Sequence, residues 1–334
     1  MEEKKGNDRK TIGILRGGSD GDYYESLREG GEIISHIFEN LSDKWHVVDI
    51  FIDKNDVWHL NGFQVEPAVL PEKVDLVWNT GHHSLINILN ELTIPAINIS
   101  SLTSLLRNDS EVLAEHIKSF DLKIPKKIVL PLYQADFDAR PTEQSFGRGP
   151  IDLYVARKAR EILEKFSAPW VVRTFTPDAS MGPVRDREGS QRPSISNGMG
   201  IHIAKTFPEL MDAIRDGVQH KKSILIEEFI YGRNIDTHSV GGFRGEDIYV
   251  FPPSNVNKEE KEVIIQMAKD LHQHLGVEHY LKSNFVVHPK RGVFITDISF
   301  SPDLKKDSQF HRVCESVGAK THHIIEHILE KTLQ

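Results

Sequence analysis

The segment from His279 to Asp303 carries the residues of this chain best suited to bind a charged ligand. Two apolar, alternating runs, Asn284–His288 and Gly292–Ser299, flank a Pro-Lys-Arg-Gly turn. Alternating runs on either side of a turn that contains proline and glycine predict two paired strands. The segment is therefore predicted to form a β-hairpin.

Four polar side chains of this hairpin are predicted to share one cleft. Asn284, Asp297 and Ser299 offer oxygen atoms, and Lys282 lies beside them. A phosphate-bridging Mg²⁺ ion usually takes one or two carboxylates together with waters and phosphate oxygens. Among these four residues only Asp297 supplies a carboxylate, so the pattern predicts a magnesium–ATP site whose acidic ligands are partly replaced. The alternative for Asp297 is an ordinary residue at the end of a strand, facing solvent.

Length and composition limit the class of protein. A chain of 334 residues exceeds one ordinary hydrophobic core and predicts two or three domains. A hydrophobic fraction of 39% with 27% charged residues is typical of a globular protein. The net charge of −8 argues against nucleic acid or an anionic membrane as a partner. Met1–Lys10 is polar and no apolar run approaches ~20 residues, so we expect no membrane span and a cytoplasmic location.

Cysteine and histidine offer little further chemistry. The single cysteine, Cys314, excludes an intrachain disulfide and cysteine-rich zinc sites, and its place in a predicted helix indicates an inert buried thiol. The adjacent pair His82–His83 could bind a metal, but neighbouring side chains on a strand point apart, so loop histidines without a metal are favoured. Of the 17 histidines, we expect only His82 to lie near a substrate.

The first part of the chain alternates between β-branched runs and amphipathic runs. The predicted strands are Thr11–Arg16, Val47–Ile52, Val74–Trp78 and Pro95–Ile99, and the predicted helices are Tyr23–Asn40 and Leu85–Leu92. This alternation predicts a parallel sheet covered by helices. Ligands of such sheets bind at the carboxyl ends of the strands, where Gly17–Gly18 and Asn79–His83 fall.

Three domains are predicted, covering residues 1–110, 111–217 and 218–334. The predicted elements of the second are a helix at Ile151–Phe166, strands at Trp170–Phe175 and Gly200–Lys205, and a helix at Pro208–Arg215. The third has strands at Ile224–Ile230, Asp236–Gly241, Asp247–Phe251 and in the hairpin, and helices at Glu259–Leu275 and Phe310–Leu333. Between the strands of the second domain, Thr176–Asn197 is predicted to be a long loop or a small hairpin insertion.

Three motifs before the hairpin are compatible with a nucleotide. The strand Val171–Arg173 ends in a basic residue, and the glycine-bearing turn Ser196–Ile201 can wrap a polyphosphate with its backbone N–H groups. The segment Ile226–Gly232 contains a Glu-Glu pair that can accept a hydrogen bond from an adenine amino group. A solvated strand edge is the alternative for the two glutamates, and surface cations are the alternative for Arg173 and Lys282.

In this order, the motifs resemble those of the D-alanine–D-alanine ligase family of the ATP-grasp superfamily. The resemblance covers almost the whole chain and also includes Gly13–Gly18 with Ser26-Leu27, Val47–Trp58, Ala204–Leu210 and Gln266–Gly276. It implies an α/β ATP-grasp fold, with an N-terminal parallel α/β domain and central and C-terminal α+β domains that clasp a nucleotide cleft. It also implies that ATP and Mg²⁺ are used to join two D-alanines through an acyl phosphate, a step toward a peptidoglycan precursor of the cell wall.

The resemblance implies a nucleotide site made of substituted and retained residues. The positions that match the family's nucleotide-binding residues, or lie beside them, are Arg173, Asn197, Gly198, Gly200, Glu227, Glu228, Ile230 and Asn234. Arg173 stands where the family has a phosphate-binding lysine, and Asn234 where it has a ribose-binding glutamate. Glu227 fits the glutamate on the adenine side. A second nucleotide lysine of the family falls loosely on Ser110.

The remaining matches concern the metal, the reaction and the substrates. Asn284, Asp297 and Ser299 stand at the positions of the family's aspartate, glutamate and asparagine metal ligands, and Lys282 at that of its transition-state arginine. The substrate positions fall on Tyr24, His82, Asp303 and Ser308, with Glu25 one residue from the family's amine-binding glutamate. The loss of several such contacts together is expected to remove measurable ligation, because one contact to a developing charge contributes ~3–4 kcal/mol, although the losses are not additive.

Two hypotheses follow from these matches. The first is an ATP-dependent carboxylate–amine ligase that takes D-alanine or a similar amino acid, acting as a homodimer. The second is a catalytically inactive ATP-grasp pseudoenzyme that binds a nucleotide, a peptide or a partner protein. A ligase for a different amine acceptor is a weaker third hypothesis, because Tyr24, Asp303 and the short segment at His82 all alter the acceptor pocket.

Overall fold

The computed structural model describes residues 9–18, 23–82, 84–97, 115–117, 120, 122–134, 149–175, 183–185, 191–193 and 201–334. The predicted phosphate turn with Asn197, Gly198 and Gly200 lies outside these residues, as do Ser110 and His83.

A six-stranded sheet forms the first part of the chain, in the order β4-β3-β2-β1-β5-β6. Its strands are β1 (Thr11–Gly17), β2 (His46–Ile52), β3 (Trp58–Leu60), β4 (Phe63–Gln64), β5 (Leu76–Asn79) and β6 (Ala96–Ile97), and its helices are α1 (Tyr23–Asn40) and α2 (Leu85–Glu91). β1 pairs in parallel with β2 and β5, and β5 pairs in parallel with β6. The predicted parallel sheet is confirmed, while the short antiparallel strands β3 and β4 at its edge were not predicted.

Close packing explains the sequence of β1. Ile12, Ile14 and Leu15 are fully buried, as expected for a central parallel strand. A side chain on Gly17 would lie 2.1 Å from the carbonyl oxygen of Ile52, and this glycine has a φ of +90°. Glycine is therefore required where β1 turns toward α1.

A second, four-stranded sheet has the order β11-β8-β12-β7. Its strands are β7 (Lys127–Leu130), β8 (Trp170–Phe175), β11 (His202–Ala204) and β12 (Ser223–Glu228), and its helices are α3 (Pro150–Lys165) and α4 (Phe207–Gln219). β8 pairs antiparallel with β11 and β12, as β12 does with β7. β8 and β11 correspond to the predicted strands Trp170–Phe175 and Gly200–Lys205 and pair with each other, and β7 is an additional strand. Trp170, Val172 and Ile226 lie in its buried core.

Residues 183–185 and 191–193 form two short antiparallel strands, β9 (Pro183–Arg185) and β10 (Gln191–Pro193). Of the two structures predicted for the insertion Thr176–Asn197, these described residues therefore support the hairpin.

The last sheet has the order β14-β13-β15-β16 and contains the predicted hairpin. Its strands are β13 (Arg233–Gly241), β14 (Ile248–Val250), β15 (Tyr280–His288) and β16 (Gly292–Ser299), and α5 (Lys258–His274) precedes the hairpin. α5 starts at a capping box in which Asn257 and Glu260 exchange side-chain and backbone hydrogen bonds. The hairpin is confirmed, with the Pro-Lys-Arg turn between its strands.

The single helix predicted for Phe310–Leu333 is wrong, because two helices are present. α6 (Gln309–Ser316) and α7 (Thr321–Thr332) are separated by Gly318, which has a φ of +68°. The amide of Gly318 donates to the carbonyl of Glu315, and that of Ala319 to the carbonyl of Cys314. These two bonds are a Schellman motif, which ends a helix at glycine. Cys314 itself is fully buried, as predicted.

The described chain forms two compact units. The first, called unit 1, contains Met1–Leu105, Thr237–Lys282 and Phe300–Gln334, and unit 2 contains Leu106–Asp236 and Ser283–Ser299. The predicted three-domain boundaries stay a prediction. Within the described part of the chain, no helix is both long and apolar enough to cross a membrane.

Candidate functional site

Arg173 and Glu227 form an ion pair in unit 2, with 3.0 Å between Nη2 and Oε2. Arg173 on β8 lies opposite Leu225 on β12, so Glu227 is its diagonal neighbour on the same face of the sheet. Both side chains are mostly buried, at 23% and 17% exposure. The buried Nε of Arg173 has no hydrogen-bond partner among the described residues. The pair therefore combines an acceptor with a cation that still has a free donor.

The neighbouring Glu228 points to a different partner. Its carboxylate accepts a hydrogen bond from Nη1 of Arg291 at 2.6 Å and a longer one from the backbone N–H of Lys126 at 3.4 Å. Burial by itself raises the pKa of Glu228, but the hydrogen bond and charge of Arg291 and the N–H of Lys126 reverse this, so the pKa is lowered overall. Glu228 is thus held as a carboxylate.

The predicted metal ligands lie on the hairpin of unit 2. Nδ2 of Asn284 donates to Oδ2 of Asp297 at 3.2 Å, across the two strands. Oδ1 of Asn284 is buried and has no partner among the described residues. Ser299 is two residues after Asp297 on β16, so both side chains leave the same face of the strand. The structure therefore brings one carboxylate and one unsatisfied amide oxygen together.

The other predicted residues of this region have different degrees of burial. Ile230 is 8% exposed and forms a small apolar cluster with Val286 and Phe294. Asn234 is an exposed residue of β13, and Lys282 is a half-buried residue of β15. Among the described residues, no group of three or more histidine, cysteine, aspartate or glutamate side chains could hold a metal ion. A metal at the hairpin would thus depend on the amide and hydroxyl oxygens as well.

In unit 1, the predicted substrate residue Tyr24 lies at the start of α1. Its hydroxyl accepts a hydrogen bond from Nζ of Lys54 at 3.0 Å, and that ammonium group lies 4.7 Å from the centroid of the Tyr24 ring. The hydrogen bond and charge of Lys54 lower the pKa of Tyr24. Glu25 contacts Arg28 on the same helix, with 3.2 Å between the charged groups. Tyr24, whose hydroxyl is bound by Lys54, is thus the residue directly before Glu25 on α1.

His82 lies in the loop after β5. Its Nδ1 is 2.7 Å from the hydroxyl of Ser84, and its carbonyl accepts from Nδ2 of the buried Asn79 at 3.2 Å. Oδ1 of Asn79 accepts from the N–H of Gly81 at 2.9 Å. The loop follows the carboxyl end of β5, where it was predicted to lie, and these hydrogen bonds fix its shape.

Asp303 and Ser308 lie in the segment that leads into α6. The hydroxyl of Ser308 donates to the carbonyl of Asp303 at 2.7 Å and accepts from the N–H of His311 at 3.0 Å, so it caps the helix. Ser308 is 2% exposed. Its predicted role in substrate binding stays a prediction, while its contacts give it a role in the fold.

Two residues of these contacts were not predicted from the sequence. Arg291 was treated only as part of a turn, and Lys54 only as part of the segment Val47–Trp58 that resembles the family. Both partners are distant in the chain, so no local pattern indicates them. Ser308, by contrast, precedes a helix and has the residue type of an N-cap, a signal that could have been used.

Comparison with known proteins finds similarity to D-alanine–D-alanine ligases. No protein-family model matches it. It is 21% identical to a D-alanine--D-alanine ligase of Anaeromyxobacter dehalogenans, over 96% of both chains. It resembles the solved D-alanine-D-alanine ligase from Coxiella burnetii with a TM-score of 0.70 and 15% identity, covering 97% of this chain and 95% of that one.

A further solved relative is the D-alanine--D-alanine ligase from Bacillus anthracis complexed with ATP. The TM-score is 0.65 at 16% identity, with 97% of each chain covered. At such identities the structural likeness establishes the fold, and the sequence similarity extends along nearly the whole chain. This chain therefore has the ATP-grasp fold and is similar to D-alanine–D-alanine ligases along nearly its whole length.

Proposed function

We propose that this protein is an ATP-dependent carboxylate–amine ligase that activates D-alanine or a similar amino acid as an acyl phosphate. The observation that carries the proposal is the Arg173–Glu227 ion pair, 3.0 Å long, on two adjacent strands of an ATP-grasp fold. Similarity to the Anaeromyxobacter dehalogenans ligase over 96% of both chains supports this class of reaction.

The residues of the pair have the chemistry that a nucleotide requires. Arg173 has a planar guanidinium group suited to phosphate oxygens, and its buried Nε still lacks an acceptor among the described residues. Glu227 can accept a hydrogen bond from the adenine amino group. A donor without an acceptor has a desolvation cost, which a bound phosphate would remove.

The hairpin also fits Mg²⁺, although it supplies one carboxylate ligand where such a site can have two. The Asp297 carboxylate and the unsatisfied Oδ1 of Asn284 are hard oxygen ligands, and Ser299 offers a hydroxyl on the same face as Asp297. A bound metal would neutralise phosphate charge. In this proposal Lys282 stabilises the negative charge that develops when an amine attacks the acyl phosphate.

One observation favours a second candidate function, an inactive ATP-grasp protein that binds a nucleotide or a partner. Position 284 is an asparagine, so Asp297 is the one carboxylate among the three predicted metal ligands. That carboxylate already accepts a hydrogen bond from the amide of Asn284. A site with one carboxylate would bind Mg²⁺ more weakly, which would reduce the stabilisation of the transferring phosphate more than nucleotide binding through Arg173 and Glu227.

The two candidates can be separated with one preparation of the protein. D-Alanine-dependent release of ADP is measured at high Mg²⁺, together with the thermal stabilisation by ATP that mass action predicts for a ligand of the native state. Turnover that disappears in Arg173→Met supports the ligase. Stabilisation by ATP without turnover, with D-alanine or D-serine, supports the inactive protein. The absence of both turnover and stabilisation would contradict the ligase and would leave, for the second candidate, only the binding of a partner.

We also propose that the substrate amino acid contacts Tyr24, Glu25, His82, Asp303 and Ser308. The protein is proposed to act in the cytoplasm on a precursor of the cell wall. Its proposed oligomeric state is a homodimer.

A further inference from the structure

The turn of the hairpin is tied to the end of strand β12 by an ion pair. Nη1 of Arg291 lies 2.6 Å from Oε1 of Glu228, and Nη2 lies 3.5 Å from Oε2. The Glu228 side chain is 15% exposed and that of Arg291 is 43% exposed. A guanidinium group that meets a carboxylate with two nitrogens fixes orientation as well as distance. The contact joins residues that are 63 positions apart in the chain.

Other contacts fix the two members of this pair. The guanidinium carbon of Arg291 lies 4.6 Å from the centroid of the Phe294 ring, in the range of a cation–π contact. The carbonyl of Arg291 accepts from Nζ of Lys123 at 2.7 Å, and the carbonyl of Lys123 accepts from the N–H of Ile295 at 2.8 Å. The N–H of Glu228 donates to the carbonyl of Lys126 at 2.8 Å. Arg291 therefore contacts Glu228, Phe294 and Lys123.

The backbone after β12 also approaches the hairpin closely. A side chain at Gly232 would lie 2.3 Å from the carbonyl oxygen of Val287 and 2.8 Å from the side chain of Val286. Only glycine fits at this distance. The ion pair and this close approach are two separate contacts between the hairpin and the Glu228–Gly232 segment.

These contacts connect the two halves of the candidate site in unit 2. Glu228 follows Glu227 directly on β12, and Asp297 lies on β16, the strand that starts at the Arg291 turn. A strand is stiff over this length, so a change at the turn alters the position of Asp297 and of its partner Asn284. We propose that Arg291 and Glu228 are positioning residues, whose ion pair holds the metal-binding face of the hairpin in place relative to Glu227 and Arg173. This inference rests on the proposed binding of ATP and Mg²⁺.

Residue Glu228 has a different role in this view from the one that the sequence predicted. Its carboxylate binds Arg291, while its neighbour Glu227 pairs with Arg173. The two adjacent glutamates point to opposite faces of β12, since side chains alternate along a strand. Glu227 thus belongs to the proposed nucleotide site, whereas Glu228 binds the turn of the hairpin.

The first experiment needs no ligand. Amide hydrogen exchange is measured in the full chain and in Arg291→Gln, Glu228→Gln and the double variant, with Lys290→Gln in the same turn as the control. We expect exchange in residues 283–299 to rise roughly threefold to tenfold in each single variant, and by no more in the double variant, because both single changes break the same contact. Unchanged exchange, or an equal rise along the whole chain, would overturn the proposal.

The second experiment tests the consequence for the site. ATP affinity is measured by calorimetry with and without Mg²⁺. We expect Arg291→Gln to weaken binding of ATP with Mg²⁺ roughly tenfold and binding of ATP alone by less than about threefold, because the hairpin acts through the metal. Exposed Lys290→Gln should change neither. A looser hairpin with unchanged binding of ATP and Mg²⁺ would reduce the pair to a structural role and overturn the proposal.

The two experiments also separate this inference from the proposed function. If the unmodified protein binds no ATP, the proposed function fails and the positioning role fails with it, although the exchange data would still report the contact. If the unmodified protein binds ATP with Mg²⁺ and Arg291→Gln binds it equally well, the positioning role alone fails.

Discussion

Nδ2 of Asn284 donates to the carboxylate of Asp297 at 3.2 Å, while Oδ1 of the same asparagine is buried without a partner among the described residues. An unsatisfied buried acceptor lowers the free energy of unfolding by ~1–3 kcal/mol, a loss that a cation bound to Oδ1 would remove. Under the proposed function, Asn284 and Asp297 are paired in the absence of metal and each supplies an oxygen ligand when Mg²⁺ binds.

Replacing Asn284 with aspartate tests this interpretation. In Asn284→Asp the hydrogen bond at 3.2 Å becomes a contact between two carboxylates, so without metal we expect the free energy of unfolding to fall by ~1–2 kcal/mol. With Mg²⁺, we expect a larger rise in Tm than in the unmodified protein, because the ion then meets two carboxylates. Thermal unfolding with and without Mg²⁺ measures both effects.

The control for this prediction is Asn90→Asp, which makes the same chemical change at an exposed position of α2. It should alter neither the Tm nor its response to Mg²⁺. An equal response to Mg²⁺ in Asn284→Asp and in the unmodified protein would contradict a metal site at the hairpin.

Arg173 gives a second prediction. In Arg173→Met the mostly buried carboxylate of Glu227 loses its ion pair, and we expect the free energy of unfolding to fall by roughly 1–3 kcal/mol. Glu227→Gln in the same background should recover part of that loss, because it removes the unpaired charge. Urea unfolding of the two single variants and the double variant measures the coupling, and Arg160→Met, an exposed change on α3, is the control.

Additive losses in this cycle would contradict the coupling between Arg173 and Glu227. Arg173→Met and a further variant, Arg173→Lys, also test nucleotide binding. Thermal stabilisation by ATP should be lost in Arg173→Met and partly kept in Arg173→Lys, since lysine preserves the charge but not the planar donor group.

Local patterns were sufficient to predict most of the elements in this fold. The helix Tyr23–Asn40 and the strand Gly292–Ser299 have the predicted bounds, because each has its own hydrophobic period and its own end signals. The two-residue strand Phe63–Gln64 is too short to carry a period. The break between α6 and α7 depends on Gly318, which the helical pattern on both sides concealed.

The candidate site was predictable to the extent that hairpin geometry determines it. Asn284 and Asp297 are close in sequence and lie on paired strands, so their contact follows from the turn. The Arg291–Glu228 ion pair joins positions 63 apart, and only the packing of several strands brings them together. No spacing rule links such residues in a single sequence.

Ser308 gives a third prediction, which separates a role in the fold from one in substrate binding. Ser308→Ala removes the N-cap of α6 and leaves the N–H of His311 without its acceptor, so we expect a loss of ~1–2 kcal/mol in the free energy of unfolding. Ser308→Thr keeps a hydroxyl group and should lose less. If Ser308 also binds the substrate, the KM for D-alanine rises in Ser308→Ala beyond the change in the exposed control Ser316→Ala.

The buried His272 and the mostly buried His279 of unit 1 give the last prediction, which concerns pH. Burial, and then the charge of Lys331, lower the pKa of His272 and of His279 to about 4 in each case, with His327 adding to the effect on His279. Nε2 of His272 and Nδ1 of His279 have no hydrogen-bond partner among the described residues. The hydroxyl of Ser239 lies 2.8 Å from Nδ1 of His272. Both rings are thus packed as neutral groups.

Because the unfolded chain binds these protons near pH 6.5 and the folded chain only near pH 4, the unfolded state binds more protons in between. The free energy of unfolding should therefore be constant with respect to these groups above about pH 7 and fall as the pH decreases toward about 4, by up to roughly 3 kcal/mol for each histidine. Urea unfolding at several pH values measures the slope. His279→Gln should reduce the slope between about pH 6 and 4.5, whereas His46→Gln, at an exposed position, should leave it unchanged. Equal slopes in His279→Gln and the unmodified protein would contradict the assignment of this acid sensitivity to His279.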